Sequence, residues 1–352
     1  MFDLSFYKGK RVLVTGHTGF KGSWLCKVLL NNGAVVKGYS LKAPTDPNLY
    51  ELSGIIKNVD STIGDIADLE SLSAVFAEFK PEIVFHLAAQ PIVRESYKNP
   101  VYTYQTNVMG TVNVCECVRK SASVRSFVNV TTDKVYLNRE WCWGYRENEE
   151  LDGYDPYSNS KSCSELVTRS YIRSFFNDLD IGVSTARAGN VIGGGDFAPD
   201  RIVPDCVRAA INGEDIVIRN PNSIRPYQHV LEPIYVYLMI GARQYFDKSF
   251  SGSYNVGPNE SDCLSTGELV KLFKKYWGDG VNSIAQNDNG PHEANYLRLD
   301  CSLLKNTFGW KSVWNAETAI KKSVEWYKCW KDGLDVSEYM DRQIDSFLEK
   351  IK

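Results

Sequence analysis

The chain has 352 residues, 43% hydrophobic and 24% charged, the balance of an ordinary globular protein able to bury one large core or two smaller ones. A formal charge of -3 excludes the broad basic surface that draws nucleic acid or anionic membrane, so any anion site has to be built locally. Nine cysteines form no Cys-x-x-Cys pair or zinc-spaced Cys/His cluster, and no apolar run approaches membrane length. The expectation is therefore no metal, no membrane partner and free thiols in a reducing cytoplasm.

Arg11-Val12-Leu13-Val14 predicts the first strand, and Gly16-His17-Thr18-Gly19-Phe20-Lys21-Gly22 follows it, opening a predicted helix over Ser23 to Leu30. Glycines at that junction permit a tight turn and bring a pyrophosphate close to backbone N–H groups at the positive helix end. The spacing is Gly-x-x-Gly-x-x-Gly, which alone is compatible with a mere turn. Between a strand and a helix, and with the residues described below, it predicts a dinucleotide site.

Val35 to Tyr39 predicts a second strand, at whose end a carboxylate for a ribose 2'-hydroxyl is expected. Tyr39-Ser40-Leu41-Lys42 offers none; Ser40 with Lys42 or Lys21 suits a 2'-phosphate, so the residues leave NAD and NADP both open. Gly64-Asp65-Ile66 places a carboxylate for an adenine amino group. Leu87-Ala88-Ala89-Gln90, after a third predicted strand at Ile83 to Leu87, supplies small residues over which a cofactor passes. Each also reads as a plain turn or strand terminus. His86, in that apolar strand, reads as a core histidine.

Ser126 to Val130 predicts a strand that runs into Thr131-Thr132-Asp133-Lys134. A patternless loop over Leu137 to Pro156 then leads to Tyr157-Ser158-Asn159-Ser160-Lys161, and is expected to cover the site. Tyr157 and Lys161, four apart, share a helix face, so the ammonium is expected to hold the phenol below its usual pKa of about 10 and make it a base for an alcohol. Plain alcohol oxidation has no use for Asp133 and Lys134. Ile181 to Arg187 predicts a further strand, and from Gly193 the texture turns to glycine, proline and polar turns, with a strand at Ile216-Val217-Ile218 and helices near 264–277 and 316–331. The alternation predicts an α/β fold: a Rossmann-type doubly wound parallel sheet over residues 1–190, with a smaller mixed lobe over 191–352, parts of which can return to the first domain.

These motifs resemble the extended short-chain dehydrogenase/reductase family. The longer blocks are similar to its nucleotide-sugar 4,6-dehydratase branch that takes CDP-glucose. They include Thr106-Asn107-Val108-Met109-Gly110-Thr111, Gly153 to Lys161, Arg187 to Asp196, Ile224 to Pro233 and Pro291-His292-Glu293-Ala294. The resemblance implies NAD as cofactor, with Asn107 added to its site, and a homodimer that pairs the helices following Asn99 and Tyr157. It also implies a three-stage reaction: C4 oxidation, loss of water across C5 and C6, and return of hydride to C6. Tyr157 with Lys161 and Thr132 would then act at the C4 oxygen, Asp133 as acid toward the C6 hydroxyl, and Lys134 as base at C5.

An ammonium beside Asp133 depresses the carboxyl pKa, yet an acid must keep its proton; either burial and nearby positive charge neutralise Lys134, or the two form an ion pair at the strand end and water or another group is the base. Asn190, Arg201 and Arg225 are placed by resemblance near the sugar and diphosphate, where a guanidinium fork donates twice to phosphate oxygens. Two other readings share the cofactor loop: a nucleotide-sugar 4-epimerase, which has no use for Asp133-Lys134, and a regulatory protein that binds NAD(P) without turnover.

Overall fold

The computed structural model describes residues 2–286 and 296–351, so the Pro291-His292-Glu293-Ala294 block lies outside the described residues. Seven strands, β1 (Arg11–Thr15), β2 (Val35–Ser40), β3 (Asp60–Ile63), β4 (Ile83–His86), β5 (Ser126–Thr131), β6 (Gly182–Ala188) and β7 (Ser253–Val256), form one sheet in the order β7-β6-β5-β4-β1-β2-β3. Every pairing is parallel, so each connection crosses a face of the sheet and the fold is doubly wound.

Alternation along the strands sorts the two cores. Val12, Val14, Val128 and Val130 pack on the side of the helices Phe20–Asn31 and Leu231–Phe246, while Leu13, Val84, Phe127 and Val183 pack against Leu69–Phe79 and Gly110–Lys120 on the other. Central strands bury both faces; β5 and β6 are buried at every position.

After β6 the chain builds the lobe from short ladders, Val191–Ile192 with Gln228–His229, Ile216–Ile218 with Ser283–Ala285, and Ile224–Arg225 with Leu264–Ser265. Helices Ile202–Asn212, Thr266–Trp277, Ala316–Lys331 and Val336–Ile351 surround them. Between these pieces Leu231–Phe246 and β7 return to the sheet, β7 pairing with β6. Trp24 fastens lobe to sheet, donating from Nε1 to the Gly194 carbonyl (3.0 Å). The ends of β1, β4, β5 and β6 thus open toward the lobe. Among the described residues no helix is long and apolar enough to cross a membrane.

Candidate active site

Two cavities meet at this edge. The first, about 580 Å³, is lined by Gly16, Thr18, Gly19, Phe20, Lys21, Gly22, Ser40, Asp65, Ile66 and Leu87 to Gln90. Gly16 has φ +77°, and a Cβ there would stand 2.7 Å from the Ala88 amide nitrogen; a Cβ on Gly22 would stand 2.1 Å from the Gly16 carbonyl oxygen. The loops after β1 and β4 therefore meet backbone to backbone. Helix Phe20–Asn31 begins at Gly19 with no side-chain cap, leaving its leading N–H groups to an external acceptor. This cradle fits a dinucleotide pyrophosphate.

The Ser40 and Thr18 hydroxyls lie 2.8 Å apart, and with both in reach of the Leu41 carbonyl one donates to the other and the second to the carbonyl, closing the end of β2. Asp65 holds its own turn by accepting from Ala67 N (2.9 Å). His17 and Asn107 stand behind the cleft wall. The His17 ring bonds Ser61 (2.7 Å) and occupies the space that a Cβ on Gly38 would take; its burial pushes its pKa down to about 4. Asn107 accepts from Gln90 N (2.8 Å) and donates to the Gln90 carbonyl and to Ser160, bracing the wall against the next helix. His86, bonded to Thr15 (2.7 Å), is a neutral core histidine, pushed down to about 3 by burial.

The second cavity, about 270 Å³, brings Thr132, Asp133, Lys134 and Tyr157 from the sheet side against Asn190, Arg201 and Arg225 from the lobe side; Phe20, Lys21 and Arg201 line both cavities. Thr132 caps the single turn Asp133–Val135. Asp155 caps helix Pro156–Ser174, accepting from Ser158 N (2.9 Å) and Ser158 Oγ (2.6 Å), and so sets Tyr157 in the first turn. Asn190 follows β6 with φ +31°, a left-handed turn that asparagine tolerates, and its carbonyl accepts from Gln228 N.

Asp133 is 1% exposed. Its Oδ1 accepts from Thr132 (3.0 Å), its Oδ2 is buried without a hydrogen-bond partner, and neither oxygen takes the Lys134 ammonium. Burial pushes its pKa up, and prevails over Lys134, Thr132, Arg225 and Lys21, which all pull it down. The carboxyl thus keeps its proton to a higher pH than a free aspartate does, with Lys134 only half-buried beside it.

The expected lowering of the Tyr157 phenol by Lys161 is not what the protein shows. Burial pushes the phenol up to about 12, opposed by the Thr132 hydrogen bond and Arg201, and reinforced by Asp133 and Asp155. Lys161 instead donates to the Val130 carbonyl (3.0 Å), and burial, with Lys21 beside it, lowers its ammonium to about 8. Spacing put the two on one face but could not register how deeply that face is covered.

Behind them Glu165, one turn after Lys161, pairs with fully buried Arg187 at 2.9 Å and accepts from Thr131 and Thr185. The loop over 137–156 walls a third cavity of about 560 Å³, which shares Lys134 and Arg225 with the second. Arg94, Arg219 and Gly189 were not anticipated as site residues. The two arginines line the second cavity without any motif to mark them. A Cβ on Gly189 would fall 1.8 Å from Asp133 Oδ2, a closeness whose only trace in the sequence is a glycine directly after β6.

A family model described as GDP-mannose 4,6 dehydratase matches residues 13–323. The chain belongs to this family. CDP-glucose 4,6-dehydratase of Salmonella typhimurium is 49% identical to it over 354 residues, covering 99% of each chain. The GDP-mannose 4,6 dehydratase family fold is shared with two solved structures, each at 22% identity. UDP-glucose 4-epimerase of Stenotrophomonas maltophila, with bound NAD and formylated UDP-arabinopyranose, has a TM-score of 0.80 over 92% of this chain and 99% of that one. dTDP-glucose 4,6-dehydratase of Bacillus anthracis, in complex with NAD, has a TM-score of 0.76 over 93% and 99%.

Proposed function

We propose that the chain converts CDP-glucose to CDP-4-keto-6-deoxyglucose and water, with NAD in the larger cleft, by C4 oxidation, C5/C6 elimination and return of hydride to C6. The observation that carries this is Asp133, a sealed carboxyl with one oxygen left without a hydrogen-bond partner and a pKa pushed up by burial, beside Thr132 and Tyr157. An epimerase gains nothing from such an acid. The nucleotide base rests on the 49% identical relative.

NAD, when bound, supplies the hydride acceptor for C4 and the donor for C6. Tyr157 takes the C4 hydroxyl proton; at about 12 its phenol stays neutral until positive charge in the cleft lowers it, so it is a base only in the loaded enzyme. Lys161, charged at neutral pH, holds the nicotinamide ribose from its anchor on Val130. Thr132 steadies the C4 oxygen. Once C4 is a ketone the C5 hydrogen is acidic; the free amine of Lys134 takes it while Asp133 gives its proton to the departing C6 hydroxyl, and Lys134 returns the proton to C5 as hydride reaches C6. Asn190, Arg201 and Arg225 hold the sugar and diphosphate. The second cavity is lined by six basic side chains against four acidic ones, a surplus suited to a diphosphate.

We infer a cytoplasmic homodimer through the helices after Asn99 and Tyr157, where Val101 (70%), Met109 (51%) and Leu166 (48%) are exposed on adjacent elements. Sedimentation should give twice the chain mass, and Val101→Glu should lower it. The function is tested by incubation with NAD and CDP-, UDP-, dTDP- or GDP-glucose. Mass spectrometry should show loss of one water from CDP-glucose; an unchanged mass with conversion at C4 would make the chain an epimerase.

A further inference from the structure

Asp200 sits where the two cavities and the two halves of the molecule meet. It lines both cavities, has a left-handed backbone (φ +60°), and stands one residue before Arg201, the N-cap of helix Ile202–Asn212. Its Oδ1 pairs with Arg219 (2.8 Å), at the end of the lobe strand Ile216–Ile218, and with Arg94 (3.6 Å), in the helix Val93–Lys98 after β4. One carboxylate thus bridges an arginine of the sheet half to an arginine of the lobe. Arg219 also lies 3.9 Å from Asp205, itself paired with Arg208. Asp196, four residues earlier and also on both cavity walls, is taken by Arg201 at 2.7 Å.

Three of the six cations of the substrate cavity are therefore held by carboxylates of the single segment 196–200. A diphosphate brings two negative charges and more acceptor oxygens than one carboxylate, so it competes directly for Arg94 and Arg219.

We propose that Arg94 and Arg219 are ligands of the substrate diphosphate which Asp200 holds in the free enzyme, so that nucleotide-sugar binding displaces this carboxylate and shifts the wall segment 196–201 shared with the dinucleotide cleft. The inference rests on the nucleotide-sugar reading above and names the charge-bearing ligands of that site. Because the segment lines both cavities, substrate and dinucleotide affinities are coupled, and by linkage each changes the other by the same factor.

The test is calorimetric titration of NAD-saturated enzyme with CDP, inorganic pyrophosphate and cytidine. Asp200→Asn removes the competing charge but keeps the side-chain volume, so CDP and pyrophosphate should bind about three- to fivefold tighter, the scale of a partly exposed ion pair. Asp200→Glu should return affinity toward wild type, and Arg94→Gln should weaken CDP while leaving cytidine unchanged. Arg94→Gln also gives an independent reading should Asp200→Asn not fold. CDP affinity unchanged or weakened in Asp200→Asn would overturn the proposal, as would an equal loss of CDP and cytidine in Arg94→Gln. Wild-type enzyme that binds pyrophosphate but not CDP would count against the nucleotide reading; the effect of Asp200→Asn on pyrophosphate would still decide the role of Asp200.

Discussion

Replacing Asp133 by asparagine should raise stability while abolishing most of the activity, and the pH at which each effect appears follows from the burial of the carboxyl. In the unfolded chain the group titrates near 3.8; in the folded chain burial raises it. A carboxyl raised on folding binds its proton more tightly in the native state, so native stability falls as pH rises from about 4 through the folded pKa. Each pH unit between the two titrations costs the wild type about 1.4 kcal/mol. Asparagine has nothing to ionise. Asp133→Asn should therefore be the more stable protein at pH 7, with the advantage vanishing below about pH 4, where both states of the wild type are protonated. Turnover should fall by about 10²–10⁴, the range of a lost general acid. Urea unfolding of both proteins from acid to neutral pH, beside initial rates, reads both effects. A variant less stable at pH 7, or a stability difference independent of pH, would refute the assignment of a sealed, proton-holding carboxyl.

Gly189→Ala would drive a methyl into the space of Asp133 Oδ2; turnover should collapse while NAD affinity, measured by fluorescence quenching, stays near wild type. Glu165→Ala leaves the Arg187 charge buried without its partner, a loss of about 3–5 kcal/mol visible as a lowered Tm. Lys161 loses its proton above about pH 8, so rates that need its ammonium should decline on that alkaline side, and Lys161→Arg should lose that decline even where its maximum rate is lower.

The parallel sheet was legible because β1, β2, β4, β5 and β6 are apolar, β-branched runs separated by helix-length stretches. β3, Asp60-Ser61-Thr62-Ile63, escaped because it is a polar edge strand with no buried position. β7 escaped because its place beside β6 is set by the return of Leu231–Phe246 across the sheet, which no local pattern records.

In the site, residue types at short spacing located the cradle and the Thr132 to Lys161 group. Their ionisation was not legible. Burial is the largest cause of the shift at Asp133, Tyr157 and Lys161, and depends on how the folded chain covers them. It raised the Asp133 carboxyl and reversed the lowered phenol expected of Tyr157. Arg94 and Arg219 are contributed by two halves of the molecule, so only the folded chain puts them together.

In the proposed reaction one hydride leaves C4 and comes back to C6 of the same sugar around a dehydration. CDP-glucose carrying deuterium at C4, turned over with NAD and analysed by NMR, should give a 4-keto product one water lighter with the deuterium on C6. Deuterium recovered at C4 of a sugar that keeps its C6 hydroxyl would contradict the account.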